Sequence, residues 1–148
     1  MATKYQQGHF SPQNPDKYIG KHEPIYRSGW ELAFMRMCDN HPNISKWASE
    51  AQQIEYMNPF TGKRSRYIPD FFIVYTDKEG KNHAEIIEIK PYKQAEIKEA
   101  RSKSDKAKVV LNMAKWEAAK QWANKAGIRF RVVTEHEIFH SMKKKKKK

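Results

Sequence analysis

A chain of 148 residues has the length of a single domain, and at that size roughly two-thirds of the unfolded surface becomes buried, enough for a genuine core. Hydrophobic residues make up 39% of it and aromatic residues 12%, which excludes a compositionally disordered chain. The formal net charge is +12, and the body keeps +6 after the terminal run Lys143–Lys148 is set aside, so the basic bias favours nucleic acid, anionic membrane or acidic protein partners.

Residues 1–25 contain Pro12, Pro15 and Pro24 and show no periodicity, and read as an irregular N-terminal arm. A helix is predicted from "SGWELAFMRMCDN": Ser28 is an N-cap residue and Glu31 falls three positions later, the spacing of a capping box. Trp30, Phe34 and Met37 form an apolar stripe, and "NHP" at Asn40–Pro42 stops the helix. Cys38 and His41 have a metal-like spacing, but no second pair accompanies them, and an ordinary buried cysteine is the simpler reading. A lone cysteine excludes an intrachain disulfide. With no apolar run of 18 residues and no apolar signal core, neither a membrane span nor export is expected, and a reducing intracellular compartment is.

"QQIEYMNP" (52–59) reads as a first strand, followed by a turn with Gly62 where a positive φ is needed. "RYIPDFFIVYT" (66–76) reads as a second strand, in which Pro69 marks an edge, a bulge or a strand start. "HAEIIEIK" (83–90) is a third, and the three suggest an antiparallel meander. A helical region follows from about residue 94 to 126, with a break near Ser102–Ser104, and Gly127 suits its C-terminus. "IRFRVVTEHE" (128–137) is a fourth strand. The order α-βββ-α-β predicts an α/β domain with a mixed sheet. Trp47, Trp116 and Trp122 are expected in the core, and residues 141–148, which hold the terminal lysine run, as a disordered tail.

Three charged residues interrupt the apolar strands. Side chains alternate across a strand, so Glu88 and Lys90 share a face with Ile86, and Asp70 shares one with Phe72 and Val74; Glu85 falls on the opposite face and is expected to meet solvent. If the second and third strands pair, Asp70 and Glu88 converge. Two carboxylates in a partly apolar place repel and are poorly solvated. A divalent cation resolves both problems, and hard oxygen ligands suit Mg²⁺, with the Ile89 carbonyl as a further ligand. Lys90 beside such an ion suits phosphodiester hydrolysis. The simpler alternatives are an Asp70 pair with Arg64 or Arg66, and an exposed Glu88–Lys90 pair of little energetic value.

"PD" at Pro69-Asp70 followed by "EIK" at Glu88-Ile89-Lys90 resembles the PD-(D/E)XK nuclease signature, and the α-βββ-α-β order resembles that superfamily's restriction-endonuclease-like core. More narrowly, "YRSGWELAFMRMCDNHPNISKWASE", "PFTGKRSRYIPDFFI" and "GIRFRVVTE" resemble the head-completion nucleases of T-even-type tailed phages, a family related in fold to TnsA-type transposon-end endonucleases.

The resemblance implies a nuclease domain over residues 26–140, cleaving double-stranded DNA with Mg²⁺, for which Mn²⁺ can substitute. Asp70, Glu88, Lys90 and Glu31 would be the catalytic residues, and Asp70, Glu88, Ile89 and Glu31 the metal ligands. Glu31 keeps its capping alternative. Lys63, Arg64 and Arg66 before the site, and Lys93, Lys98 and Arg101 after it, are placed to contact phosphates; Lys103, Lys106 and Lys108 extend the same basic run. The implied setting is head completion before tail joining, in the host cytoplasm or on the virion, with phage head or neck proteins as partners and no membrane. A non-catalytic DNA-end-binding or head–tail connector protein on the same fold is the alternative, and a basic virion interaction module a weaker third.

Overall fold

The computed structural model of the chain describes residues 7–90 and 102–134. In chain order its elements are β1 (Gly8–His9), a 3-10 turn (Pro15–Lys17), β2 (Ile25–Tyr26), α1 (Gly29–Asn40), β3 (Ile44–Ser49), β4 (Ile54–Met57), β5 (Arg64–Tyr67), β6 (Phe71–Thr76), β7 (Asn82–Ile89), α2 (Lys103–Lys125) and β8 (Arg129–Val133). The mixed central sheet has the order β3-β6-β7-β8. β6 runs antiparallel to both β3 and β7, whereas β8 lies parallel to β7. The parallel pair requires a long crossover, and α2 lies within it. This is the expected α-βββ-α-β arrangement, consistent with the restriction-endonuclease-like fold.

The membership of the meander differs from the sequence reading. Its first strand is β3, which the sequence reading had not picked out. A register irregularity between Ile44 and Lys46 breaks the period-two pattern there, so burial does not alternate through the strand. The segment 66–76, expected as one strand, is two. Pro69 and its neighbours separate β5 from β6, and β5 pairs with β4 in a hairpin outside the central sheet.

Alternation along β6 and β7 builds two cores. On one face, Phe71, Ile73, Ile87 and Ile89 pack with Trp47 of β3 and with Phe34, Met35 and Cys38 of α1. On the other, Ile86 and Phe130 pack with Trp116, Ala119 and Ala123 of α2 and with Ile54, Tyr56 and Tyr67 of the hairpin. α2 begins with Ser102 as its N-cap, which accepts from the Asp105 N–H; the earlier part of the expected helical region, residues 94–101, lies outside the described residues. Gly127, just past its end, has φ of 76°, a conformation glycine adopts without steric cost.

The N-terminal segment, read from sequence as irregular, is tied to the body from residue 7 onward by bonds that leave no periodic trace. The fully buried Asp39 carboxylate, near the end of α1, accepts from the Gln13 and Asn14 N–H groups at 2.8 and 3.0 Å. The Lys17 ammonium donates to the Asp39 and His41 carbonyls at the same helix end, where a cation meets the negative pole of the helix. Phe10 and Tyr18 set their rings edge-on to Trp47.

Candidate active site

Asp70 stands where the chain leaves the hairpin and enters the central sheet. Its carbonyl accepts from the Glu50 N–H, and its carboxylate accepts from the Ile89 N–H at 2.8 Å. The register that pairs Phe71 with Ile87, carried one step further, sets Asp70 opposite Glu88, on the side facing the hairpin and α2. The convergence expected from alternation is therefore present. Lys90, at the end of β7, holds its ammonium 3.6 Å from Glu88 Oε2.

The carboxylates of this site share a burden. Burial raises the Asp70 carboxyl well above the usual range, and the charges of Glu88 and Glu31 push the same way, against the Ile89 N–H and Lys90. Glu88, only 5% exposed, is raised by burial, with Lys90, the Tyr67 hydroxyl and Lys115 opposing. Glu31 is raised by burial too, with Ser28 opposing and Glu88 and Glu50 adding to the rise. The capping role of Glu31 is visible as well: Ser28 Oγ accepts from the Glu31 N–H and donates to its carboxylate.

Glu31 is near enough to act on Asp70, yet the acids do not close into a cage. Among the described residues, no three His, Cys, Asp or Glu side chains are gathered closely enough to hold a metal ion. Cys38 lies fully buried in the core, where burial pushes its thiol far up, so it stays protonated. What remains is an opposed carboxylate pair beside the Ile89 main chain. That donor set fits Mg²⁺, which commonly takes one or two carboxylates and leaves its other positions to water and phosphate.

Two residues of the site carried no usable signal in the sequence. Tyr67, the last residue of β5, donates from its hydroxyl to Glu88 Oε1 at 2.8 Å. Burial, then the Glu88 charge, raises this hydroxyl, so it remains a donor. Lys115, on α2, lies over the rings of Tyr56 and Tyr67 at 5.8 and 5.7 Å. Burial, then the Lys90 charge, lowers its ammonium, while Glu88 holds the proton on. Only the packing of the hairpin into the second core brings Tyr67 to Glu88, and only helix docking brings Lys115 there.

Glu85 corrects the sequence reading. It lies on the opposite face, as expected, but is 2% exposed rather than in solvent. It accepts from the Tyr75 hydroxyl at 2.6 Å and from Arg131 Nε at 3.0 Å, with Arg129 at 3.8 Å. The sequence reading missed it because its cations come from β8, more than forty residues away. Lys63, Arg64 and Arg66 are exposed on the β4–β5 hairpin; Arg64 lies 3.7 Å from Glu55 in an open pair. Lys103, Lys106 and Lys108 are exposed on α2, whereas Lys93, Lys98, Arg101 and the lysines Lys143–Lys148 lie outside the described residues. No helix of the described residues is long and apolar enough to cross a membrane.

Comparison with known proteins places the chain beside nucleases. Residues 41–135 match the family described as TnsA-like endonuclease N terminal, a span that includes Asp70, Glu88 and Lys90 and leaves Glu31 outside. The chain is also 35% identical to the head completion nuclease of Enterobacteria phage T4 over 139 residues, which cover 86% of this chain and 90% of that protein.

Proposed function

The chain belongs to the TnsA-like endonuclease family, and from that premise we propose that it is a divalent-metal-dependent DNA nuclease acting in phage head completion. The single observation that carries the metal-dependent reading is the Asp70–Glu88 pair. Two acids held opposite each other, both raised by burial and Asp70 raised further by the Glu88 charge, need a cation to be stable together at neutral pH. Asp70, Glu88 and the Ile89 carbonyl are the residues that would hold Mg²⁺, or Mn²⁺ in its place, with Glu31 adding negative charge from α1. An ion held there supplies Lewis acidity and charge neutralisation at the phosphoryl group.

The remaining chemistry belongs to the chain. Lys90 orients the attacking water and donates toward the phosphoryl oxygens as charge accumulates on them. Lys115 adds a second ammonium from α2, positioned by two tyrosine rings. Such preset charges cost no reorganisation when the reaction occurs. Tyr67 fixes the orientation of Glu88 by its hydroxyl. Lys63, Arg64 and Arg66 on the hairpin contact phosphates and position the duplex without reading its sequence. The substrate is double-stranded DNA; the site of action is the assembling head in the host cytoplasm, where head or neck proteins are the expected neighbours.

The test is incubation of the purified chain with linear and closed circular duplex DNA, in Mg²⁺ and in chelator. Mg²⁺-dependent cutting that disappears in Asp70→Asn and in Lys90→Ala, with both variants folded, is the expected result. Cutting of closed circles identifies endonucleolytic action. A folded Asp70→Asn chain that cuts as well as the wild type overturns the site.

A further inference from the structure

The β4–β5 hairpin carries a feature that phosphate binding does not use. Its tip, residues 58–63, presents Phe60 at 61% exposure, with Met57 at 55% beside it. A large aromatic ring held in water is unfavourable by itself, and a mobile loop could fold it away. This loop is held by several bonds. Asn58 Oδ1 accepts from the Phe60 and Thr61 N–H groups at 2.8 and 3.3 Å, and Thr61 Oγ1 accepts from the Lys63 N–H. Main-chain bonds join Asn58 to Lys63 and Gly62 to Asn58, and Gly62 has φ of 70°. Phe60 is thus displayed on a braced turn.

The charges around the ring identify what it meets. Register and burial place Met57, Arg64, Arg66 and Glu55 on the outward face of the hairpin, with Lys63 at the turn. Three cations against one carboxylate favour a polyanion. The inward face, Ile54, Tyr56 and Tyr67, is cemented to α2, and Tyr67 reaches Glu88 itself. At about 3.3 Å per residue, Arg64 stands about 10 Å from Tyr67 along β5. The tip is therefore separate from the carboxylate pair but rigidly connected to it. Apolar side chains that unstack base steps, and aromatic platforms for exposed bases, combine these properties: a fixed ring flanked by phosphate-binding cations.

We propose that Phe60 is a stacking wedge that engages a base step at an interruption of duplex DNA (an end, a nick or a branch) and so selects where the chain is seated. An interruption is the favoured place because a step already missing its stacking partner costs least to open. The inference rests on the DNA-cleaving reading above and adds to it the structural class of DNA preferred.

The experiment uses the full chain in chelator, so that binding is measured without cutting. The probes are one duplex carrying a nick with 2-aminopurine beside it, and the same duplex uninterrupted. Phe60→Ala is expected to bind the nicked duplex about tenfold more weakly and to lose the change in 2-aminopurine fluorescence; Phe60→Trp, which keeps a stacking face, restores both. The loss is confined to the interrupted DNA. An equal loss on both duplexes, or no loss on either, overturns the wedge, and no loss on either assigns the ring to a protein partner instead. Mg²⁺-dependent cleavage is measured on the same preparations. A wedge signal without cleavage removes the nuclease reading alone, whereas cleavage without a wedge signal removes the wedge alone.

Discussion

Replacing Asp70 by asparagine should make the metal-free chain more stable while abolishing cleavage. Opposed residues on neighbouring strands hold their Cβ atoms about 5 Å apart, and Asp70 and Glu88 are so placed by the β6–β7 register. Two unit charges at about 5 Å, in an effective dielectric of about 20, repel by about 3 kcal/mol. Lys90, 3.6 Å from Glu88, and the Ile89 N–H, 2.8 Å from Asp70, offset part of that. The asparagine oxygen still accepts from Ile89, so no backbone donor is orphaned. A net gain of about 1–2 kcal/mol is expected, the size typical of relieving a functional site, which raises Tm by about 2–8 °C in a chain of this length.

The sign of the pH dependence follows from the direction of the shifts. Asp70, Glu88 and Glu31 all bind their protons more tightly folded than unfolded. Their contribution to stability is fully present below the ordinary carboxylate range and is lost as pH rises through the raised folded values. The advantage of Asp70→Asn should therefore be small near pH 4 and widen toward pH 7.5. Thermal melts in chelator across that interval measure it. Adding Mg²⁺ to the wild type should reverse the order, because a ligand at a hundred times its Kd contributes about 2.7 kcal/mol, and the variant should respond much less. A variant that melts below the wild type at pH 7.5 in chelator, or a gap that does not widen with pH, refutes the carboxylate-repulsion argument.

Glu31→Gln keeps the Ser28 bonds and should change stability by less than about 1 kcal/mol while raising the Mg²⁺ concentration needed for half-maximal cutting; a metal titration beside a urea melt separates the two. Lys115→Ala should lower turnover by about a hundredfold, the cost of removing one preset electrostatic group, with DNA affinity in chelator little altered; single-turnover rates and a binding titration decide. Asp39→Ala should cost about 3 kcal/mol, since two backbone donors lose a charged acceptor in a buried place, and limited proteolysis should then cut within residues 7–24 before the body.

The parts of the fold legible in the sequence were those with a local cause. Ser28 capping α1, the C-terminal glycine after α2, and the alternation of Phe71 to Val74 and of Ile86 to Ile89 act over a few residues, and each gives a periodicity or a cap that a linear reading detects. β3 was missed because its irregularity shifts the alternation at the point where it would have been recognised. β5 was merged with β6 because both flanks of Pro69 look like strand. The Asp70–Glu88 convergence was legible because parity on two strands fixes which face each acid takes. Tyr67 and Lys115 were not, because their approach depends on β5 folding back onto α2, which no spacing encodes.

Glu85 was misread for the same reason, and its contrast with Glu88 explains why the candidate site is chemically distinct. Among the described residues, three acids are largely or wholly shielded from water: Asp39, Glu85 and Glu88 are 0%, 2% and 5% exposed. Asp39 has two backbone N–H donors, and Glu85 has a tyrosine hydroxyl and an arginine within hydrogen-bond distance. Glu88 also has a tyrosine and a lysine, but it faces Asp70, whose carboxyl is raised by burial and by the charges of Glu88 and Glu31 against the Ile89 N–H and Lys90. Burial is therefore not what marks the site, since the other buried acids are matched donor for charge. The mark is an excess of carboxylate over donor, held in place by β6, β7 and α1. A fold that wanted only stability would neutralise that excess with another arginine, as it does at Glu85. On the proposed reading, a mobile cation and a phosphate complete the charge balance that the described residues leave open.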